Sequence, residues 1–170
     1  MAGGIGSRLS PLTDEIPKPM LPVGDRPMME RIVEQLRDTG IKHVNLAVHH
    51  QSERISEHFG DGHDFGIDIS YVTEDRPLGT AGALGLMESP TDTVLVINGD
   101  ILTQIDFRAM LTYHREQKAE LTMAVRNHAF QVPYGVVETE GTSVKRLVEK
   151  PSIQRLINAG IYLLEPYVFQ

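Results

Sequence analysis

Strand-like and helix-like stretches alternate through the first two thirds of the chain, and that alternation restricts the fold more than any other feature. "RPMMERIVEQLRDTG" reads as a helix, with Pro27 near its first turn and Gly40 just past its end. Met28, Ile32, Val33 and Leu36 lie along one face of it. "KHVNLAV" follows as a strand, "QSERISEHFG" as a second helix closed by Gly60, and "IDISYVTE" as a partly alternating strand. "GTAGALGLMES" reads as a short helix rich in small residues, and "TVLVING" as a continuous apolar strand of the buried type. "DFRAMLTYHREQKA" is expected to be a helix capped by Asp106. Strands joined through helices run parallel, so the pattern predicts an α/β fold with a parallel sheet covered on both faces. "LTMAV", "YGVVETE", "VKRLVEK" and "NAGIYLLE" follow as strands, the middle two as a hairpin around Glu140-Gly141-Thr142.

In such sheets ligands bind beyond the carboxyl ends of the strands. Three segments leave predicted strands or precede the pattern there: the opening "MAGGIGSRLSPLTDEIPKPMLPV", "TEDRPLGTAGAL" after Val72, and "NGDIL" after Ile97. Their chemistry is bounded by composition. The net charge of −7 argues against a broad nucleic-acid or anionic-membrane surface, although local cations can still hold phosphates. With no cysteine, disulfides, thiolate metal sites and a cysteine nucleophile are excluded. No apolar run reaches the roughly 18 residues of a membrane span, and no signal peptide is visible, so the expectation is a cytoplasmic domain.

"AGGIGSR" lacks the Gly-Lys-Ser/Thr of a Walker loop. As a dinucleotide fingerprint it has Gly4 and Gly6 but Leu9 at the third position, which makes an oxidoreductase a remote alternative. A glycine cluster alone is also compatible with a plain tight turn. Arg8 and Lys18 add fixed positive charge to backbone N–H groups that glycine lets approach a polyphosphate. Pro19 biases Lys18 towards an extended backbone. Asp100, at the end of the buried "VLVINGD" strand, offers a carboxylate at the same functional edge, or a cap for the next turn. The histidine clusters, His49-His50 and His63 with Asp64, lack metal spacing and read as surface or loop residues. Met20, Met28 and Met29 read as core packing.

The pattern Gly-Gly-x-Gly-x-Arg-Leu-x-Pro-Leu-Thr followed by Pro-Lys-Pro-Met-Leu-Pro-Val resembles the signature of the sugar-nucleotide pyrophosphorylases. "PLGTAGAL", "NGD", "YGVV", "VEKP" and "NAGIY" continue the resemblance in the same order. "FQVPYGVV" and "NAGIYLLEP" are most similar to mannose-1-phosphate guanylyltransferase-like members, some of which carry CBS regulatory domains. The resemblance implies a Rossmann-like three-layer α/β/α nucleotidyltransferase fold with a mostly parallel mixed sheet. It also implies that residues 1–170 are one such domain, truncated at both ends: the family's apolar strand before Ala-Gly-Gly and a later metal-binding aspartate beside a tryptophan are not in this sequence.

The implied reaction transfers a nucleoside monophosphate from a nucleoside triphosphate to a sugar 1-phosphate, with Mg²⁺ as cofactor and possible homo-oligomers. By resemblance Gly3, Gly4 and Gly6 cradle the phosphates, Arg8 stabilises charge on the leaving pyrophosphate, and Lys18 contacts the α-phosphate region. Asp100 would hold the metal. Glu74, Gly79 and Thr80 are nucleotide contacts, and Gly135, Glu149, Lys150 and Asn158 match positions that hold the sugar and its phosphate. Without those motifs, Glu149-Lys150 is an ordinary hairpin charge pair; Asn158, in the apolar run "LINAGIYLL", is expected to be buried and in need of partners. Glu74 favours GTP, because a carboxylate accepts from the paired donors of guanine, whereas uracil and thymine offer one donor between acceptors. The alternatives are a UTP- or dTTP-using relative and a catalytically weak homologue that binds sugar nucleotides.

Overall fold

A computed structural model describes residues 1, 9–49, 51–74 and 82–169. Gly3, Gly4, Gly6, Arg8, Gly79 and Thr80 lie outside the described residues, as does His50. The chain forms two units, one comprising Met1–Thr122 with Gly160–Gln170 and the other Met123–Ala159.

The first unit begins with a short helix, α1 (Leu12–Glu15), and a 3-10 turn over Lys18–Met20, where the sequence suggested only loop. Two successive bonds, Met20 N–H to Pro17 O at 2.7 Å and Leu21 N–H to Lys18 O at 3.2 Å, hold Lys18 in that turn. The extended backbone expected ahead of Pro19 is therefore not adopted: local hydrogen bonding overrides a steric bias. A two-residue ladder, β1 (Pro22–Val23) with β2 (Arg26–Pro27), leads into α2 (Met28–Thr39). That helix starts after Pro27 and stops at Gly40, which takes the left-handed conformation (φ 98°) and donates to Arg37 and Leu36 carbonyls. Its buried stripe is Met29, Ile32, Val33 and Leu36. Met29 is buried as expected, whereas Met28 and Met20 are only half-buried and contribute less to the core than the sequence suggested.

β3 (His43–Val48) pairs in parallel with β4 (Asp68–Thr73), from His43 opposite Asp68 to Val48 opposite Thr73. α3 (Ser52–Phe59) makes the crossover between them and buries Ile55 and Phe59. The helix expected around residues 79–89 is, where described, a 3-10 segment over Gly82–Leu86, as befits glycine-rich sequence with little side chain to pack. β5 (Val94–Ile97) is followed by α4 (Phe107–Glu116), where the Asp106 carboxylate accepts from Arg108 and Ala109 N–H groups as a cap should. β3, β5, α2 and α4 supply much of the buried apolar core, among them Leu46, Val48, Val96, Ile97, Val33, Leu36, Phe107 and Met110.

Two long strands, β6 (Leu121–Gln131) and β9 (Ser152–Leu164), pass through both units. The sheet containing β5 has the order β5-β9-β6, and β9 runs antiparallel to β5 with Ile97 opposite Ile161, so parallel and antiparallel pairing both occur among the strands of this unit. Buried Ile161, Leu163 and Leu164 anchor the end of β9. The second unit contains the hairpin of β7 (Val136–Glu140) and β8 (Ser143–Val148), turning at Gly141 with φ 61°. Its side chains are mostly exposed, among them Tyr134, Val144, Leu147 and Leu156.

Among the described residues β3 pairs only with β4, and β5 only with β9. A cavity of about 820 Å³ is lined by His43–Ala47 of β3, Val94–Ile97 of β5, apolar residues of α2, and Met1. The Met1 amine donates to Ile97 O at 2.8 Å, and Gly99 N–H donates to Met1 O at 2.6 Å. One residue bonding to positions two apart on its neighbour is the pattern of a parallel ladder. No described helix is long and apolar enough to cross a membrane.

Candidate active site

The ends of β3, β4 and β5 carry the polar groups that the sequence singled out, and segment 10–18 ties two of them together. Lys18 Nζ donates to Asp100 Oδ2, joining the Pro-Lys-Pro segment to the strand end of "VLVINGD" across 82 residues of chain. Both side chains remain about one third exposed, at 32% for Lys18 and 36% for Asp100, so a solute can reach either charge. Gln51 Nε2 donates to Asp14 O at 3.2 Å and brings the start of α3 onto α1. Ser10 Oγ donates to Asp14 Oδ2 at 3.3 Å.

Met1, the residue before the glycine segment, sits against the same strand end as Asp100. Burial pushes its amine down to about 6, partly offset by the Asp100 carboxylate. Asn98, two residues before Asp100, donates its backbone N–H to Gly160 O at 3.0 Å. The Asn98 Oδ1 and Gln51 Oε1 atoms are buried without a hydrogen-bond partner among the described residues.

Glu74 follows β4 directly and is 8% exposed, so it is not the solvent-facing glutamate that its neighbour Asp75 would suggest. Its N–H donates to Val48 O at 3.1 Å and its carbonyl accepts from His49 Nδ1 at 2.7 Å. His49 is a half-buried loop histidine just past the end of β3, within the surface-or-loop expectation but with a backbone partner. A carbonyl cannot donate, so Nδ1 carries the proton. Nothing in its sequence surroundings announced this contact, which depends on β3 and β4 being neighbours. His63 and Asp64, by contrast, are almost fully exposed as expected.

Asp100 is the metal-ligand candidate. Magnesium is commonly held by one or two carboxylates together with substrate phosphates, and a half-exposed carboxylate with one oxygen committed to Lys18 fits the single-carboxylate form. Among the described residues no group of three potential ligands gathers elsewhere.

In the second unit, Gly135 lies against the Glu149 side chain, whose Oε2 would be 3.1 Å from an added Cβ. Lys150, at φ 44°, donates its N–H to Tyr134 O at 3.2 Å, and its ammonium is 3.9 Å from Glu149 Oε1. Gly135, Glu149 and Lys150 are thus brought together at the base of the hairpin. Asn158 is exposed rather than buried, because the first half of β9 carries its side chains on uncovered faces.

A buried group that sequence reasoning missed is His114. It is 1% exposed, with Nδ1 2.6 Å from Thr122 Oγ1 and Nε2 3.0 Å from Glu165 Oε1. Thr93 Oγ1 donates to the same Glu165 oxygen at 2.7 Å, so one carboxylate links α4, the end of β9 and the approach to β5, and His114 adds the start of β6 through Thr122. The hydrogen bonds from Thr93 and then His114 hold the Glu165 carboxyl below its ordinary range. A histidine on an amphipathic helix gives no local sign of which strand will cover it.

The family profile described as "Nucleotidyl transferase" matches residues 1–170. A mannose-1-phosphate guanylyltransferase of Mycobacterium tuberculosis is 37% identical over 172 residues, 97% of this chain and 47% of that protein. A UTP–glucose-1-phosphate uridylyltransferase of Synechocystis is 34% identical over 188 residues, 99% of this chain and 48% of that protein. A solved structure of a candidate glucose-1-phosphate thymidylyltransferase from Bacillus anthracis superposes with a TM-score of 0.78 at 30% identity, covering 99% of this chain and 70% of that one. The chain spans about half the length of the curated relatives it matches. Its α/β architecture agrees with these matches, and the chain belongs to the nucleotidyl transferase family.

Proposed function

We propose that this chain is the nucleotide-binding part of a sugar-1-phosphate nucleotidylyltransferase that favours GTP. The observation that supports it most is the Lys18–Asp100 pair, which sets a cation and an anion side by side at a strand end in a chain of this family. In the reaction a phosphate oxygen of the sugar 1-phosphate attacks the α-phosphorus of the triphosphate. The new P–O bond forms as the α–β bridging P–O bond breaks, and its electron pair leaves with pyrophosphate. Both reactants are anions, so charge neutralisation and in-line alignment carry the catalysis, and no protein nucleophile is needed. Lys18 binds and orients the α-phosphate, and Arg8 stabilises the departing pyrophosphate, with Gly3, Gly4 and Gly6 giving backbone access. Asp100 would hold Mg²⁺, which supplies Lewis-acid charge to the phosphates when bound. In the second unit Gly135, Glu149, Lys150 and Asn158 would hold the sugar phosphate.

The lean to guanine rests on Glu74. A buried carboxylate at the end of β4 supports this lean, since an ionised carboxylate would accept from the adjacent donors of guanine, with Gly79 and Thr80 following it in the sequence. Relatives named as uridylyl- and thymidylyltransferases favour a second reading, in which UTP or dTTP is the substrate. The test is pyrophosphate release from a panel of nucleoside triphosphates crossed with sugar 1-phosphates, using the chain alone and joined to the flanking segments of a relative. Release with no pair in either form would overturn the enzymatic reading, and preference for UTP or dTTP would overturn the guanylyl one.

A further inference from the structure

We propose that the Lys18–Asp100 pair gates metal binding: Lys18 occupies the Asp100 carboxylate in the free chain and gives it up more readily to a metal that arrives with a nucleoside triphosphate than to the bare ion. This rests on the reading in which Asp100 holds the metal and Lys18 the α-phosphate. Among the described residues the Lys18 ammonium bonds to no other acceptor, and the Asp100 carboxylate to no other donor. The pair is closed, and its two charges cancel at the strand end.

Other bonds hold the backbone on both sides. The Met20 and Leu21 N–H groups close the turn that carries Lys18, and Pro19 beside it is buried. Just ahead of Asp100, Asn98 N–H bonds to Gly160 O and Gly99 N–H to Met1 O. An exchange of partners is therefore left to the side chains, and a pair this exposed is weakly held.

A bare dication approaching Asp100 meets a carboxylate whose charge is already cancelled, with an ammonium of the dication's own sign beside it. A hard cation held by one carboxylate and its own waters has little attraction to set against that. A triphosphate without metal fares no better, since drawing Lys18 away leaves the Asp100 carboxylate facing anionic phosphates. When both arrive, the ammonium gains a phosphate partner and the carboxylate gains the metal, so two contacts between opposite charges replace one. Metal and nucleotide then favour each other's binding, by the same factor in both directions.

Mn²⁺ is the probe, read through its paramagnetic effect on water-proton relaxation with the 170-residue chain, first without nucleotide and then with GTP. Lys18→Met keeps the length of the side chain and removes its charge; Lys18→Gln also removes the charge but keeps a polar end. Melting temperatures check that both are folded. Without nucleotide, each should bind Mn²⁺ about tenfold more tightly than the parent, and Lys18→Arg should not. Asp100→Asn added to Lys18→Met should cancel the gain. Neutral variants that bind no more tightly than the parent, or a gain that survives Asp100→Asn, would overturn the proposal. The measurement with GTP separates this failure from failure of the underlying reading. Weaker Mn²⁺ retention in Asp100→Asn alone, with no gain in the Lys18 variants, retires the gate and leaves Asp100 as the metal ligand. Unchanged retention in Asp100→Asn under both conditions retires the ligand reading, and the gate falls with it.

Discussion

Gly160 presses its bare Cα against the side chain of Asn98, so that a Cβ added there would lie 2.6 Å from Asn98 Nδ2. The same Cβ would meet Ile101 Cδ1 at 2.4 Å, and Gly160 sits at φ 72°. Its carbonyl also accepts from the Asn98 N–H at 3.0 Å. The "NGD" and "NAG" motifs, far apart in sequence, are thus one contact. Gly160→Ala combines a left-handed backbone with crowding and should destabilise the chain by about 1–3 kcal/mol in urea unfolding. Asn98→Ser in the same background should recover part of that loss; unchanged stability in the Gly160 variant would mean that β9 is not held this way.

Lys18 and Asp100 should separate activity from stability. As a partly exposed pair they contribute at most about 1 kcal/mol to folding, so Lys18→Ala and Asp100→Asn should unfold close to the parent. Activity should fall sharply in both: Lys18→Ala through weaker triphosphate binding, and Asp100→Asn through a higher magnesium requirement. Superimposable magnesium titrations of Asp100→Asn and the parent would remove Asp100 from the metal site.

Arg8 should act later in the reaction. If its charge is used chiefly as pyrophosphate leaves, Arg8→Ala lowers turnover about a hundredfold or more with a smaller change in KM. A steady-state comparison in which KM alone rises would move Arg8 from the transition state to ground-state binding.

Glu165 gives the fold an acid-sensitive tie. Its carboxyl is held below the ordinary value of 4.5, first by Thr93 and then by His114. A depressed folded-state value means stability that is present above about pH 4.5 and lost as pH falls through the folded value. Glu165→Gln should flatten that part of the stability profile while leaving the neutral region less stable overall. An identical acid limb in the variant would assign acid unfolding to other carboxylates.

The Met1 amine predicts the opposite slope. Its folded value near 6 lies below the ordinary 8.0, so the unfolded chain binds the extra proton between them. Stability should therefore rise from pH 6 to pH 8 by about 1–3 kcal/mol, and acetylating the amine should remove the rise. An apolar extension of about five residues ahead of Met1, continuing its ladder bonds into the cavity between β3 and β5, should raise the melting temperature further. The same extension interrupted by proline should not. Equal melting temperatures for the two extensions would leave the cavity without a strand.

Much of the architecture was legible from local pattern. The 3.6-residue stripe and terminal glycine of α2, the Asp106 cap of α4 and the β7–β8 hairpin all follow from interactions within a few residues of each other. The order of the motifs also placed the candidate chemistry at strand ends, because helices between strands force parallel crossovers and strand ends collect at one edge. What the chain's own pattern could not decide were contacts made across the fold. Periodicity indicates which face is apolar, not which element covers it, so Met28 stays half-buried on the expected face of α2 and Asn158 stays exposed on β9. Lys18 meets Asp100 only once the strands are ordered, His49 reaches Glu74 only because β3 and β4 are neighbours, and His114 is buried only because Glu165 returns at the end of the chain. Those pairings join residues whose separation in sequence carries no record of their distance in space, and burial or hydrogen bonding is decided by that distance.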